Sequence, residues 1–222
     1  MATVVLIHGA LHGPWCWDGV ADNLERLGVS AIAPELPFTG FADDVARARE
    51  SLENAGPGAV VCGHSYGGMV ISEAAEGLSN VVRLVYLAAM QTDIGESVFD
   101  VMSRHPSPGS PPTARVVDGK FEYDLGELRE FFYADSDPAV VAEIAPLLRP
   151  MLQENWVLRR EPAWRQMPST YVVCAHDRVV APELQREMAT RAQVVVEWES
   201  DHSAFLTRPA ELAHLLATYI QR

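Results

Sequence analysis

Long apolar runs and paired cysteines are both missing from this chain of 222 residues. No apolar stretch approaches the roughly 20 residues that a membrane-spanning helix requires. The first residues, Met-Ala-Thr-Val-Val-Leu-Ile, include no basic segment, so we expect no signal peptide. The three cysteines, Cys16, Cys62 and Cys174, are an odd number, and two of them lie in apolar runs. We therefore predict reduced, buried thiols and a cytoplasmic protein.

Basic residues are also scarce, because 17 Lys and Arg face 30 Asp and Glu and give a net charge of −13. This balance disfavours nucleic acids and anionic membrane surfaces as partners and favours solubility. The histidines and acids show no metal-ligand spacing such as H-E-x-x-H, and no glycine-rich loop fits a dinucleotide or phosphate motif. The sequence therefore predicts chemistry without a metal or cofactor, and it leaves the oligomeric state open, with a homodimer among the options.

What is present is a regular alternation of short apolar runs and helical patterns, in a chain that is 48% hydrophobic. Such alternation predicts an α/β fold with a mostly parallel sheet covered by helices on both faces. The predicted strands are Thr3–Ile7, Ser30–Ala33, Ala59–Cys62, Val82–Ala88, Thr170–Cys174 and Val194–Glu197. The predicted helices are Trp15–Leu27, Phe41–Asn54, Tyr66–Leu78, Pro182–Arg191 and Pro209–Ile220.

Residues 91–167 interrupt the alternation with many prolines and two helical patterns, Leu125–Tyr133 and Pro138–Leu152. The piece Arg115–Tyr123 is bounded by glycine and predicts a small hairpin. A connection of this length is unlike a plain loop. We interpret residues 1–222 as one domain with a core of 1–90 and 168–222, and residues 91–167 as a cap over the strand ends.

The segment Gly63-His64-Ser65-Tyr66-Gly67 joins a predicted strand to a predicted helix and matches G-x-S-x-G. In such a nucleophile elbow a sharp turn exposes the serine hydroxyl, and side chains in place of the two glycines would collide across the bend. By itself this motif arises by chance in roughly one chain in fifteen of this length. Ser65 is therefore a candidate nucleophile that needs supporting residues.

A serine nucleophile needs a base, and the base needs a carboxylate that orients it. Asp177 and His202 each follow a predicted strand, and the order Ser65, Asp177, His202 is that of an α/β-hydrolase. Asp93, after the fourth predicted strand, competes with Asp177 for the role of acid. Asp201 is the neighbour of His202, and adjacent loop residues rarely face each other. The other histidines near strand ends, His64 and His8 above all, are predicted to be structural hydrogen-bonding groups.

The tetrahedral intermediate of acyl transfer also needs N–H donors for its oxyanion. The residue after the nucleophile supplies one, here the backbone N–H of Tyr66 at the start of a helix. The other is expected from the loop that follows the first strand, His8-Gly9-Ala10-Leu11-His12-Gly13, and we select the N–H of Ala10.

Four further stretches match one known family, namely Ile7–Trp17, Leu87–Met90 with Asp93, Phe131–Asp137 and Leu148–Pro150. On these residues the sequence resembles the plant methylesterase and hydroxynitrile lyase family of the α/β-hydrolase superfamily, in a compact bacterial-type form. The resemblance covers nearly the whole chain and is weakest in Ser103–Tyr123. It implies an α/β-hydrolase fold with the cap inserted after the family's sixth strand position. It also makes Asp93 a feature of the family's turn into the cap, and Asp177 the acid.

The resemblance leaves two reactions open, because the family contains esterases and cyanohydrin-cleaving lyases. Its lyases are similar in having Thr where this chain has Gly9, and Lys directly after the catalytic His, where this chain has Ser203. We therefore predict a serine esterase for a small-molecule ester with an apolar or aromatic group. A lyase and a ligand-binding protein with little turnover are the alternatives. The candidates for the substrate pocket are Gly9, Leu11, Trp15, Phe131, Phe132 and Trp156.

Overall fold

The centre of the molecule is a parallel sheet of six strands in the order β2-β1-β3-β4-β7-β8. The computed structural model describes residues 3–117, 120–149 and 156–220. All five pairings in the sheet are parallel, so the predicted α/β class is confirmed. The strands of the sheet are β1 Thr3–Ile7, β2 Ser30–Ile32, β3 Ala59–His64, β4 Val81–Leu87, β7 Ser169–Cys174 and β8 Val194–Trp198.

Burial along the strands follows their place in the sheet. Every residue of β1, β3 and β7 is buried, as expected for strands that helices cover on both faces. The two edge strands, β2 and β8, contain no buried residue. Because β3 and β4 lie in the middle, the turns at their carboxyl ends meet at the centre of one edge of the sheet, where α/β proteins collect functional groups.

The helices of the core pack on both faces of this sheet. Leu52, Met69 and Leu184 belong to the buried cluster on one face, and Trp17 and Leu212 to the cluster on the other. These helices are α1 Asp18–Arg26, α2 Phe41–Glu53, α3 Gly67–Ala74, α7 Pro182–Ala189, α8 Ala204–Thr207 and α9 Pro209–Ile220. In the described part of the chain, none of the helices is both long and apolar enough to cross a bilayer.

Two predicted helices are shorter than their sequence patterns suggested. The pattern Trp15–Leu27 begins as a 3₁₀ turn, Pro14–Trp17, and becomes α-helical only at Asp18. The pattern Tyr66–Leu78 ends as a helix at Ala74, and Gly77 follows in a left-handed conformation with φ of +72°. Glycine adopts this conformation without strain and commonly ends helices.

Between β4 and β7 the chain leaves the sheet over the segment that the sequence analysis interprets as a cap. The segment follows β4, which is the fourth strand of the sheet in chain order. The predicted hairpin is present, with β5 antiparallel to β6, and its tip lies outside the described residues. One helix, α4, had no prediction. The elements of this segment are α4 Val98–Arg104, β5 Ala114–Val117, β6 Lys120–Tyr123, α5 Leu125–Phe132 and α6 Pro138–Ile144.

The helical pattern Pro138–Leu152 is only partly confirmed. The helix α6 ends at Ile144 and a 3₁₀ turn, Ala145–Leu147, follows it. Proline has no N–H and its ring crowds the preceding turn, so Pro146 accounts for this early end. Leu148 has an extended backbone, and residues 150–155 lie outside the described part of the chain.

Candidate active site

Ser65 lies on a strained turn between β3 and α3. Its φ of +52° is a left-handed conformation that a residue other than glycine adopts at a cost of about 1–3 kcal/mol. Three backbone hydrogen bonds hold it there. The N–H of Ser65 donates to the carbonyl of Leu87 (3.2 Å), and the carbonyl of Ser65 accepts from Gly68 and Met90 (both 3.0 Å). Ser65 is partly exposed between buried neighbours, as an elbow serine requires.

The glycines of the elbow allow the turn to pack against three neighbouring segments. A Cβ on Gly63 would lie 2.6 Å from the carbonyl oxygen of Gly67, and one on Gly67 would lie 2.6 Å from that of Ile7. The predicted collision across the bend is therefore confirmed for Gly63, whereas a side chain on Gly67 would collide with the end of β1 instead. Gly68 is a third such position, since its Cβ would lie 2.7 Å from the carbonyl oxygen of Met90. The G-x-S-x-G motif gave no signal for it.

His202 and Asp177 form a buried pair at the carboxyl ends of β8 and β7. The distance from His202 Nδ1 to Asp177 Oδ2 is 2.7 Å, and the side chains are 1% and 0% exposed. Since a carboxylate oxygen accepts, the Nδ1–H of His202 is the donor. The Nε2 lone pair of a neutral His202 is then available as a base.

Three further N–H groups bind the Asp177 carboxylate. The backbone N–H groups of Val179 and Val180 donate to Oδ1 at 2.7 and 3.0 Å, and Gln185 Nε2 donates to Oδ2 at 2.7 Å. Together with the bond to His202, these contacts fix the position and orientation of the carboxylate. Gln185 was not predicted from the sequence, although it lies near the start of a predicted helix that follows Asp177.

The backbone of His202 is attached to the elbow by His64. The Nε2–H of His64 donates to the carbonyl of His202 at 2.9 Å, and the two ring centroids are 4.5 Å apart. This agrees with the predicted structural role of His64. Among the hydrogen bonds of the described residues, none joins the Ser65 hydroxyl to His202. Such bonds are often long in unliganded enzymes, and transfer of the Ser65 proton to His202 stays a prediction.

The two competing acids are engaged elsewhere. Asp93 forms an ion pair with Arg165 at 2.7 Å on the surface. Asp201 accepts backbone N–H bonds from Asp135 and Ser203, one with each carboxylate oxygen. The geometry therefore pairs His202 with Asp177 rather than with either alternative.

The loop after β1 lies against the elbow. A Cβ on Gly9 would lie 2.8 Å from His64 Nδ1 and 3.0 Å from the Cβ of Ser65, so only glycine allows this approach. His8 accepts from the N–H of Leu36 with Nε2 (3.1 Å) and donates from Nδ1 to the carbonyl of Gly9 (3.0 Å). Ala10, the predicted oxyanion donor, follows Gly9 directly.

Tyr66, the other predicted donor, begins the first turn of α3 with a helical backbone. Its hydroxyl donates to Asp44 Oδ2 at 2.7 Å, and Asp44 Oδ1 accepts the N–H of Phe38 at 2.8 Å. Asp44 is buried on α2, and burial raises its pKa despite these bonds. The Asp44 carboxylate thus links three segments around the residue that follows the nucleophile, a contact that the sequence analysis missed.

The predicted pocket residues fall on two sides of the elbow. Phe132 has its ring centroid 5.9 Å from that of His202, and Phe131 packs on Phe132 at 4.8 Å. Trp156 lies on the other side, 4.6 Å from the ring of Tyr66. The remaining candidates, Leu11 and Trp15, are partly buried against the cluster that contains Phe131 and Phe132. These contacts make the surroundings of His202 and Tyr66 aromatic.

The cysteines lie away from this chemistry. Cys16, Cys62 and Cys174 are free and buried, which confirms the prediction of buried, unpaired thiols. Burial raises the pKa of each thiol above its ordinary value. A buried thiol with a raised pKa is a poor nucleophile, so the geometry gives the cysteines a packing role.

Three buried histidines in and around the site make stability depend on pH. Burial lowers the pKa of His8 to about 4 and that of His12 to about 3, and it also lowers the pKa of His64. An unfolded histidine binds a proton below about pH 6.5, whereas these stay neutral in the folded chain. At these three positions the unfolded state therefore binds more protons in mild acid, and their contribution to stability falls as the pH drops below about 6.5.

We expect each of these histidines to remove about 1.4 kcal/mol of unfolding free energy per pH unit between about pH 6 and 5. Denaturant unfolding across this range measures the slope. His12→Asn should reduce the slope by about one proton, and His214→Gln, at an exposed position, should leave it unchanged. An identical slope in wild type and His12→Asn would show that His12 is already protonated in the folded state.

A parallel sheet with a strained serine at the end of a central strand and a buried His–Asp pair at the same edge defines a hydrolase of the α/β type. The model of the alpha/beta hydrolase family matches residues 4–215. The chain therefore belongs to the alpha/beta hydrolase family, and it is an enzyme of this class.

Three similar proteins support this assignment. The alpha/beta hydrolase nvfD of Aspergillus novofumigatus is 28% identical, with 93% of this chain and 91% of that protein covered. The pFDCC methylesterase MES16 of Arabidopsis thaliana is 27% identical over 98% of this chain and 95% of its own. A crystallised pyrethroid hydrolase from Sphingobium faniae JZ-2 has a TM-score of 0.73 at 25% identity, with 99% and 97% covered. The predicted resemblance to plant methylesterases is confirmed.

Proposed function

We propose that this protein is a serine esterase that hydrolyses small carboxylic esters with an apolar or aromatic group. Ser65 is the nucleophile, His202 the general base and Asp177 the orienting acid. The buried 2.7 Å bond between His202 and Asp177 is the observation that carries this proposal. It fixes the tautomer of His202 with Nδ1 protonated, and only this tautomer has a basic Nε2.

In the first half of the reaction, Ser65 Oγ forms a bond to the ester carbonyl carbon, and its proton passes to His202 Nε2. The negative charge that develops on the carbonyl oxygen is stabilised by the backbone N–H groups of Ala10 and Tyr66. Collapse of the intermediate breaks the bond to the alcohol oxygen, which takes the proton from His202. The products of this half are the free alcohol and an acyl group on Ser65.

In the second half, water attacks the acyl carbon as His202 removes a proton from it. The second intermediate collapses to the carboxylic acid as its bond to Ser65 Oγ breaks and His202 returns the proton to that oxygen. The N–H groups of Val179, Val180 and Gln185 hold the Asp177 carboxylate in position against His202 throughout. Its negative charge stabilises the imidazolium of His202 in both halves.

Two observations support an apolar or aromatic ester as the substrate. Phe132 and Trp156 lie on opposite sides of the elbow, beside His202 and Tyr66. In addition, the similar proteins with named activities include methylesterases and a pyrethroid hydrolase. Sites that bind small apolar molecules are lined mainly by hydrophobic and aromatic side chains.

The lyase alternative is disfavoured at two positions. The lyases that this sequence resembles have Thr in place of Gly9, and a Cβ there would lie 2.8 Å from His64 Nδ1. They also have Lys after the catalytic His, whereas Ser203 is buried here and its hydroxyl has no hydrogen-bond partner among the described residues. A departing cyanide would gain no cation from this position.

The deciding experiment compares substrates and traps the nucleophile. Wild-type protein is assayed with methyl and p-nitrophenyl esters of varied acyl size and with an aromatic cyanohydrin, and is incubated with an aryl fluorophosphonate. We expect turnover of esters, no cyanohydrin cleavage, and a phosphonate adduct that mass spectrometry assigns to Ser65. Faster cleavage of the cyanohydrin would support the lyase. A wild-type protein that gives neither adduct nor turnover would support the ligand-binding alternative.

A further inference from the structure

His12 is a buried histidine with no role in the mechanism above. It is 1% exposed and lies among aromatic rings at centroid distances of 5.4–6.1 Å. These rings belong to Trp15, His64, Phe132, Tyr133 and Phe205. An apolar side chain could replace the imidazole in such surroundings unless the two ring nitrogens make hydrogen bonds that the function requires.

Both nitrogens of His12 have hydrogen-bond partners. Nδ1 lies 2.8 Å from the carbonyl oxygen of Ala10, and Nε2 lies 2.7 Å from the hydroxyl of Tyr133. A carbonyl only accepts, so Nδ1 is the protonated nitrogen. Burial keeps the ring neutral, so Nε2 accepts from the Tyr133 hydroxyl. Tyr133 directly follows α5 and is fully buried.

The bond to Ala10 is one of three that hold consecutive carbonyls of the same loop. The carbonyl of Gly9 accepts from His8 Nδ1 (3.0 Å), that of Ala10 from His12 Nδ1 (2.8 Å), and that of Leu11 from the N–H of Arg149 (2.7 Å). In a trans peptide the N–H points opposite to the carbonyl. Each carbonyl shares a peptide plane with the N–H of the next residue, so the bond to Gly9 fixes the direction of the Ala10 N–H and the bond to Ala10 fixes that of the Leu11 N–H. With the peptides on both sides of Ala10 held, the backbone of Ala10 cannot rotate.

We infer that His12 is a positioning residue that aligns the oxyanion loop through the Ala10 carbonyl, and that Tyr133 fixes the tautomer of His12. The inference rests on the proposed function, because the loop that His12 holds from the carbonyl side of Ala10 supplies the Ala10 N–H that would bind the oxyanion. One of the three bonds to the loop carbonyls, that of Arg149, and the Tyr133 hydroxyl that bonds His12 come from the segment between β4 and β7. Tyr133 and Arg149 thus contribute to catalysis through the loop rather than through contact with the substrate.

The kinetic test compares three variants with wild type. His12→Leu removes both bonds, and we expect kcat for a p-nitrophenyl ester to fall by about 10–100-fold with KM changed by less than about threefold, because only the transition state has an oxyanion. His12→Asn retains an N–H at the place of Nδ1 and should recover at least about tenfold of that loss. Tyr133→Phe should lower kcat by about 3–10-fold. Tyr86→Phe removes another buried hydroxyl, bonded to Ser72 at 2.8 Å, and should leave kcat unchanged.

A spectroscopic test is independent of activity. In ¹⁵N-labelled wild type we expect His12 to be the Nδ1–H tautomer, and Tyr133→Phe to shift its ring nitrogens and to speed hydrogen exchange at the Ala10 and Leu11 amides. An Nε2–H tautomer, or unchanged amides in Tyr133→Phe, would overturn the inference even if no ester is hydrolysed. Conversely, suppose that the phosphonate labels the wild type and that His12→Leu folds and is as active as wild type. This result would overturn the inference and leave the proposed function intact.

Discussion

Ser65→Ala is expected to lower kcat/KM for ester hydrolysis by about 10⁴-fold or more and to abolish phosphonate labelling. Alanine removes the attacking oxygen, and no neighbouring group replaces it, because the buried Cys16, Cys62 and Cys174 have raised pKa values. The substitution keeps the Cβ and the backbone hydrogen bonds of residue 65. The protein should therefore fold normally and bind substrate with little change in affinity.

The measurement is steady-state kinetics on the best ester of the panel, together with a thermal melt. Ser136→Ala is the matched control, since its hydroxyl is buried without a hydrogen-bond partner among the described residues. We expect this control to hydrolyse the ester like wild type. If Ser65→Ala retained a tenth of the wild-type rate, the covalent mechanism would have to be abandoned.

Asp177→Asn should reduce kcat by about 10³–10⁴-fold, the second-largest effect that we expect. The carboxylate oxygens accept from His202 and Gln185 on one side and from Val179 and Val180 on the other. In either orientation an amide NH₂ would face N–H donors. With the NH₂ turned away from the fixed backbone N–H groups of Val179 and Val180 it faces His202, and the bond is then retained only if His202 adopts the other tautomer, whose Nε2 carries a proton and is not basic.

Asp93→Asn is the matched control for this substitution. Asp93 is the competing acid, and its partner is the surface residue Arg165 at 2.7 Å. We expect the control to retain wild-type kcat within about twofold, because exposed ion pairs contribute about 0–1 kcal/mol. A larger loss in Asp93→Asn than in Asp177→Asn would exchange the roles of the two acids. Circular dichroism and thermal melts on both variants separate loss of catalysis from loss of fold.

The sequence predicted those parts of the structure that depend on neighbouring residues. Apolar runs such as Thr3–Ile7 coincide with strands of the sheet, and the placement of Asp177 and His202 after strands brought them within 2.7 Å of each other. In a parallel sheet the strand ends lie at a common edge, so the position along the chain is enough to locate such residues.

Contacts that depend on distant segments could not be predicted in this way. Tyr133 and His12 are 121 residues apart, and nothing in either local pattern indicates that they meet. The bond from Tyr66 to Asp44 depends in the same way on how α2 packs beside α3. Helix ends also depended on local chemistry that periodicity does not register, as the early end of α6 at Ile144 before Pro146 illustrates.

The hydrogen bonds around Ser65 set a boundary for any attempt to exchange the segment between β4 and β7. The N–H of Ser65 donates a hydrogen bond to the carbonyl of Leu87, and the carbonyl of Ser65 accepts one from the N–H of Met90. Residues 87–90 therefore support the nucleophile. A chimera joined after Met90 would keep this support and could accept the corresponding segment of another protein. A chimera joined before Leu87 would replace residues 87–90 and would lose the hydrogen bonds that hold Ser65 in its left-handed conformation. An exchange of the segment between β4 and β7 to change substrate preference should therefore begin at Gln91.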